Sequence, residues 1–222
     1  SSLTQLLKTL LQRGYLDYFP QTKGYGLGPA IAKLAKREND SGDLVTAAGP
    51  VLAWMSSETK ETCALNFIKG DKSEVMASEM SPQRLNYTMH SGDVAPLYAT
   101  SGGKARLARL PEVMLDEYLA RVTFERITPR TIQSVERLRA ELEAIRKTGF
   151  AYVTEEFTPG IAGVAVPILS QSGYPLASLN VAIPVARFDA EKKALCEATL
   201  LRAAQMLQKK LEASVASHRP SA

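Results

Sequence analysis

The sequence is poor in the residues that build metal sites and disulfide frameworks. Its 222 residues include two cysteines, Cys63 and Cys196, and two histidines, His90 and His218. The cysteines lie far apart and form no Cys-x-x-Cys pair, so the spacing argues against a zinc site. Few, isolated cysteines are typical of a protein kept in a reducing, cytoplasmic compartment. The sequence therefore predicts no metal and a cytoplasmic location.

Long hydrophobic runs are also absent. A membrane helix needs about 20 consecutive apolar residues, and the longest candidate, residues 160–169, contains Pro167. Residues 1–11 are amphipathic and lack a signal-peptide cleavage pattern. A hydrophobic content of 45% and a charged content of 23% are those of a soluble globular protein with one large domain or two small ones.

Acidic residues are scarce at the start of the chain. Residues 1–37 hold six Lys and Arg against the single acidic residue Asp17, a net charge of +5 in a chain whose net charge is +4. A basic segment on a near-neutral body predicts contact with a polyanion such as DNA. The alternative is a solvated helix face that happens to be basic.

The first 38 residues predict a helix, a short hairpin and a second helix. Leucines recur on one face of residues 1–13, strands are expected at 15–19 and 25–27, and a helix begins at Pro29. This order is typical of the recognition helix and wing of a winged helix-turn-helix, whose earlier helices we expect to be missing. The candidate DNA-binding residues are Ser1, Ser2, Thr4, Gln5, Lys8 and Lys23.

The remainder predicts an α+β domain, in which a mainly antiparallel sheet is flanked by helices. The polar residues 39–43 predict a break and a domain boundary, and Pro50 predicts a kink or a helix start. Strands are expected over 61–68, 74–79, 83–90, 150–154, 163–169 and 175–183, and helices over 111–119, 132–147 and 190–213. The last helix is expected to bury Leu195, Ala198, Leu201, Ala204, Leu207 and Leu211.

A small polar turn at residues 100–103, Thr-Ser-Gly-Gly, precedes a helix expected from Lys104. Backbone N–H groups and the dipole at a helix N-terminus favour an anion. The turn is therefore a candidate pocket for a carboxylate or a phosphate. The alternative is an ordinary helix cap whose glycines serve close packing.

Several short blocks become informative when they are taken together, in order. They are RGYL at 13–16, YGLG at 25–28, PLYATSGGKARLA at 96–108, TPRTI at 128–132, LRAELEAIRKTGFA at 138–151, and EE at 155–156 followed by GIAGVAVPI at 160–168. They resemble the IclR-type bacterial regulators, and the third is similar to that family's PLHATAxGKAxLA segment. The resemblance spans roughly residues 2–211.

The resemblance implies a domain organisation. Residues 1–28 would be a partial winged helix-turn-helix, 29–42 a linker helix, 43–213 a GAF-like effector-binding domain, and 214–222 a disordered tail. It also implies dimers or tetramers on operator DNA, a small-molecule effector, and no cofactor.

An effector pocket follows from the same resemblance. Ser101 and Gly102 match the turn that receives an effector carboxylate, and Thr154, Gly163, Asn180 and Ala182 match strand positions that line the cavity. Ala182 lacks the hydroxyl often found there, and Gly163 is smaller than the cysteine sometimes found there, so we expect a roomier pocket for an aromatic or larger organic acid. Further candidate lining residues are Tyr87, Met89 and Arg84. The alternative for Arg84 is an exposed residue on an edge strand of the sheet.

The sequence therefore predicts a ligand-responsive transcriptional regulator, in which the effector favours one dimer arrangement on DNA. A ligand-sensing dimerisation module without DNA function is one alternative, and an enzyme acting on a small carboxylate is another. Catalysis is disfavoured because the adjacent carboxylates Glu155 and Glu156 should point to opposite sides of an extended segment. Cys196 is expected to be a buried structural thiol.

Overall fold

The computed structural model describes the backbone of residues 2–217 and the side chains of 2–31, 42 and 44–211. The chain forms two compact units that divide between Leu44 and Val45. Within residues 2–217, no helix combines the length and apolarity needed to cross a bilayer.

The first unit contains helix α1 (Ser2–Gln12) and a hairpin of strands β1 (Leu16–Phe19) and β2 (Gly24–Leu27). Gly14, at φ +70°, ends the helix, as expected for a glycine after the last turn. The strands pair antiparallel, and the rings of Tyr18 and Tyr25 lie 5.2 Å apart across them. The predicted order of helix, hairpin and helix is confirmed.

Helix α2 runs without interruption over Pro29–Thr59, so the predicted break at residues 39–43 and a helix ending at 42 are wrong. In a helix interior, Asn, Asp, Ser and Gly each cost about 1 kcal/mol or less relative to Ala. The buried stripe that follows, from Leu44 to Met55, outweighs that cost. Pro50 lies inside the helix rather than at its start.

The second unit is built on a six-stranded sheet in which every neighbouring pair is antiparallel. Its strands, in the order β5-β4-β3-β8-β7-β6, are β3 (Thr62–Lys69), β4 (Lys72–Glu79), β5 (Val94–Pro96), β6 (Ala151–Thr154), β7 (Ile161–Leu169) and β8 (Pro175–Pro184). The helices are α3 (Ser101–Leu107), α4 (Glu112–Arg121), α5 (Val135–Thr148) and α6 (Ala190–Ser217). The α+β prediction is confirmed.

The predicted strand at 83–90 is wrong, because residues 82–93 form an irregular loop and the edge of the sheet is β5. Local side-chain bonds hold this loop: the Asn86 amide donates to the carbonyls of Ser81 and Gln83, and Ser78 Oγ donates to Met89 O. Such bonds compete with a strand ladder.

Helix α5 begins at Val135, three residues later than expected, because the Ser134 hydroxyl caps it by accepting from Arg137 N at 3.2 Å. Leu138, Leu142 and Ile145 are buried, as predicted. They join one core cluster with residues of α3 and α4, among them Leu107 and Leu115.

Helix α6 buries a different stripe from the one predicted. Leu195 and Leu201 are 39% and 49% exposed, and of the predicted residues only Leu207 is buried. Among the side chains described for this helix, the buried ones are Cys196, Thr199, Leu200, Ala203 and Leu207. Three of these are small, which lets the helix lie close on β7 and β8. The helix also continues to Ser217, so the start of the predicted tail is helical, and residues 218–222 lie outside the described residues.

Candidate ligand-binding site

The turn before α3 presents backbone donors. Thr100 caps the helix, because its Oγ1 accepts from Gly103 N at 3.1 Å and its carbonyl accepts from Lys104 N at 2.9 Å. The helix starts at Ser101 rather than at Lys104. The N–H groups of Ser101 and Gly102 therefore have no acceptor inside the helix.

Two glycines bring α3 directly onto the sheet. A Cβ on Gly102 would lie 2.9 Å from Ser178 Oγ and 3.2 Å from Asn66 Nδ2. A Cβ on Gly163 would lie 2.7 Å from the Ser101 hydroxyl. Ser101 already occupies the space that a side chain at position 163 would take. Gly163 therefore does not make the pocket roomier, contrary to the expectation from the sequence.

A cavity of about 110 Å³ opens between α3, the sheet and the loop 82–93. Seven predicted residues line it: Tyr87, Met89, Ser101, Gly102, Gly163, Asn180 and Ala182. Sequence reasoning missed most of the remaining lining residues, which include Asn66, Ser73, Asp93, Val153, Glu156, Phe157 and Thr158.

Two predicted lining residues do not reach the cavity. Val153 pairs with Gly163 and lines the cavity, so its neighbour Thr154 points to the opposite face of β6. Arg84 is exposed in the irregular loop and is not part of the lining, since residues 83–90 do not form the strand that was expected to orient it.

The floor of the cavity carries a pair of buried amides. Asn66 Nδ2 donates to Asn180 Oδ1 at 2.6 Å, and Asn180 Nδ2 donates to the thioether of Met89 at 3.7 Å. A thioether is a weak acceptor. The Asn180 amide is therefore able to exchange this contact for a stronger acceptor on a ligand.

A buried ion cluster adjoins the cavity wall. Lys104 is fully buried, and its Nζ donates to both carboxylate oxygens of Glu156 at 2.7 Å and to Glu141 at 2.6 Å. Burial raises the pKa of Glu156, and the charge of Lys104 opposes that rise. Glu155 pairs instead with Arg130 at 3.0 Å, so the two carboxylates point apart, as predicted. Among the side chains of residues 2–31, 42 and 44–211, no group of three or more His, Cys, Asp or Glu is placed to hold a metal ion.

The candidate DNA-binding residues lie in the first unit. Ser2, Thr4, Gln5 and Lys8 are exposed on α1, and Ser1 lies outside the described residues. Lys23 is exposed between β1 and β2, at φ +49°. The described residues that line the cavity all belong to the second unit.

The described chain carries a helix and a hairpin followed by an antiparallel sheet domain with a small, partly polar cavity, an arrangement that suits a ligand-responsive regulatory protein. The model of the bacterial transcriptional regulator IclR C-terminal domain matches residues 38–209. The chain belongs to the IclR family of bacterial transcriptional regulators, and its relatives are regulators rather than enzymes.

Three similar proteins illustrate the relationship. The HTH-type transcriptional regulator Rv1719 of Mycobacterium tuberculosis is 33% identical over 203 residues, which cover 90% of this chain and 76% of that protein. The crystal structure of Thermotoga maritima IclR is 30% identical, with a TM-score of 0.72 over 93% of this chain and 83% of that chain. The inducer-binding domain of Acinetobacter PobR, a double mutant in complex with 3-hydroxybenzoic acid, is 26% identical, with a TM-score of 0.67 over 73% of this chain and 95% of that chain.

Proposed function

We propose that the cavity binds a small organic acid and that this chain is part of a ligand-responsive, DNA-binding regulator. One observation carries the proposal. The residues Ser101, Gly102, Asn66 and Asn180, which carry backbone, hydroxyl and amide donors, all line the same small cavity. Helix N-terminal N–H groups and neutral donors bind a carboxylate without a basic side chain.

The size and walls of the cavity favour an acid with a single ring. A closed apolar cavity of about 150 Å³ holds benzene, and this open cavity is of similar size, at about 110 Å³. Tyr87, Met89 and Phe157 supply aromatic and apolar walls. The 3-hydroxybenzoic acid bound by the PobR domain supports an acid of this class.

The regulatory step would couple the cavity to DNA. The effector would favour one arrangement of a dimer or tetramer, and this would set the spacing of two α1 helices on the operator in the cytoplasm. The exposed polar face of α1 and Lys23 would supply base and phosphate contacts.

A thermal-shift screen of the chain tests the ligand. The panel contains benzoate, hydroxybenzoates, aryl acetates and small keto acids, and mass spectrometry identifies each compound after binding. A ligand at 100 times its Kd stabilises the folded state by about 2.7 kcal/mol. We expect a shift from at least one acid, recovered unchanged. A chemically altered acid contradicts a regulator without catalysis, and no shift from any acid overturns the proposal.

Binding to fragments of the source genome tests the DNA contacts. Lys8→Ala and Lys23→Ala should each make the negative slope of log K against log salt shallower by about 1, because each removes one phosphate contact. Lys72→Ala is the matched control, because Lys72 is equally exposed but lies on the sheet of the second unit. Equal slopes for all three variants would contradict the assignment.

A further inference from the structure

The lining of the cavity carries negative side chains without positive ones. Glu156 is buried in the wall, and Asp93 is exposed, at the rim. Among the residues that the structure describes, the lining contains no Lys, Arg or His. A bound anion therefore depends on neutral donors, and these are concentrated around Ser101, Gly102 and Asn180.

The buried Lys104 is not available to a ligand. Its three ammonium donors are taken by the two oxygens of Glu156 and one oxygen of Glu141. Glu141 also pairs with Arg137 at 3.5 Å, so two cations balance the two carboxylates of the cluster. Glu156 therefore presents acceptor oxygens without a free donor, and the wall that it forms offers nothing to bind a second anionic group.

Asp93 is held at the rim and does not swing freely. Its Oδ2 accepts from the backbone N–H of His90 at 2.7 Å, and its own carbonyl accepts from Val75 N at 2.9 Å. In a cavity of about 110 Å³ lined by both Asp93 and Glu156, a second carboxylate of a ligand would face like charges and no basic side chain. Like charges repel, and the repulsion grows as the groups lose contact with water.

We propose that this cavity selects monocarboxylic acids and rejects dicarboxylic acids, with Asp93 and Glu156 as the residues that enforce the choice. The inference rests on the proposed binding of an organic acid. One carboxylate is received at Ser101 and Gly102, and the remaining polar substituent of the ligand is an uncharged hydrogen-bond donor, a hydroxyl or an amide. Such a donor is able to bond the carboxylates that would repel a second anion.

Matched pairs of ligands separate charge from size. Terephthalate and 4-carbamoylbenzoate have the same ring and first carboxylate, and nearly the same shape at the other end, but only the first has two charges. Succinate and succinamate form the corresponding aliphatic pair. Calorimetry on the whole chain measures each Kd. We expect the amide member of at least one pair to bind at least tenfold more tightly than its dicarboxylate.

The variant Asp93→Asn assigns the effect to a residue. Asparagine keeps an oxygen for the His90 N–H but removes the charge. We expect this variant to reduce the ratio of the dicarboxylate Kd to the amide Kd at least fivefold. The Kd of the amide itself should change less than threefold.

Each outcome decides the inference. If both members of the pairs bind equally, or the dicarboxylates bind more tightly, the proposed selection is wrong while the acid pocket stands. If Asp93→Asn leaves the ratio unchanged, the role of Asp93 is wrong. If no acid of the thermal-shift panel or of the matched pairs binds, the proposed function is wrong, and the inference that rests on it is wrong as well.

Discussion

The two faces of the central strands β3, β7 and β8 have opposite compositions. Toward α3, most side chains of these strands are small or polar, among them Ala64, Asn66, Gly163, Ala165, Ser178, Asn180 and Ala182. On the other face most are larger and apolar, among them Leu65, Val164, Val166, Leu179 and Val181. These side chains are at most 8% exposed on either face, so burial alone does not distinguish the faces.

The second face is covered by α6. At the start of α6, Lys192 donates to Thr59 O at 2.9 Å. The Thr59 hydroxyl in turn lies 3.7 Å from the thiol of Cys63, and Cys63 is on the same face of the sheet as Val181. The comparison teaches that one sheet performs two tasks. Large side chains on one face stabilise the fold, and short ones on the other leave room for the cavity and line it with hydrogen-bonding groups.

The largest expected effect comes from emptying the apolar face. Leu179 is fully buried, so Leu179→Ala should lower the free energy of unfolding by about 2–5 kcal/mol through lost burial and a residual cavity. Ligand affinity of the folded protein should not change. Leu201→Ala is the control, because Leu201 is 49% exposed on α6 and its loss should cost about 0.5 kcal/mol or less. Denaturant unfolding measures both, and equal costs would contradict the comparison.

Thiol reactivity offers a second contrast. Burial raises the pKa of Cys63 and of Cys196 to about 12, from an ordinary value of 9.0. Both thiols are fully buried, and a raised pKa lowers the fraction of reactive thiolate, so neither cysteine should react with a thiol reagent at pH 8 until the protein unfolds.

A cysteine on the cavity face should behave differently. Ala182→Cys places a thiol in the cavity lining, within reach of a small methanethiosulfonate reagent. We expect it to react in the folded protein and to be protected by a bound acid. Mass spectrometry locates the label. Labelling of Cys63 or Cys196 at a similar rate would contradict the assignment of faces.

The third effect concerns ligand affinity. Asn180→Ala removes the amide whose present acceptor is only the Met89 thioether. A hydrogen bond to a charged group contributes about 1.5–3 kcal/mol, so the affinity for a bound acid should fall about 10- to 100-fold. Asn86→Ala is the control, since Asn86 bonds within the loop and is not in the lining. If both variants bind equally well, Asn180 does not contact the ligand.

Local patterns in the sequence account for the elements that were predicted correctly. The glycine turn before α3 indicated Ser101 and Gly102, and helix ends with clear signals were found, such as Gly149 at φ +81° after α5. These features depend on neighbours within a few residues. Asn180 and Ala182 were added to the candidate site by the family resemblance, and both line the same cavity as Ser101 and Gly102.

Features that depend on pairing partners were not predictable. Asn66 reaches the cavity next to a register shift between Leu65 and Asn66 in β3, which no local pattern indicates. Thr154 was assigned to the wrong face because the pairing of β6 with β7 decides which of its residues points inward. Asp93 arrives from a loop held by its own side-chain bonds rather than by a strand.

The smallest expected effect is a pH dependence that belongs to Glu156. Burial raises the pKa of this carboxyl in the folded state above its unfolded value, with Lys104 opposing the rise. The protonated form is thus favoured by folding. Its contribution to stability is complete below the unfolded pKa of about 4.5 and is lost as the pH rises through the folded pKa.

The variant Glu156→Gln removes this titration and leaves Lys104 paired with Glu141. As the pH rises above about 4.5, the free energy of unfolding of the natural chain should fall relative to that of the variant. Glu117→Gln, at an exposed position of α4, should show no such divergence. Denaturant midpoints measured from pH 4 to pH 7 decide the matter. A difference between the natural chain and Glu156→Gln that stays constant with pH would mean that Lys104 fully offsets the burial, and one that grows toward low pH would reverse the assigned direction.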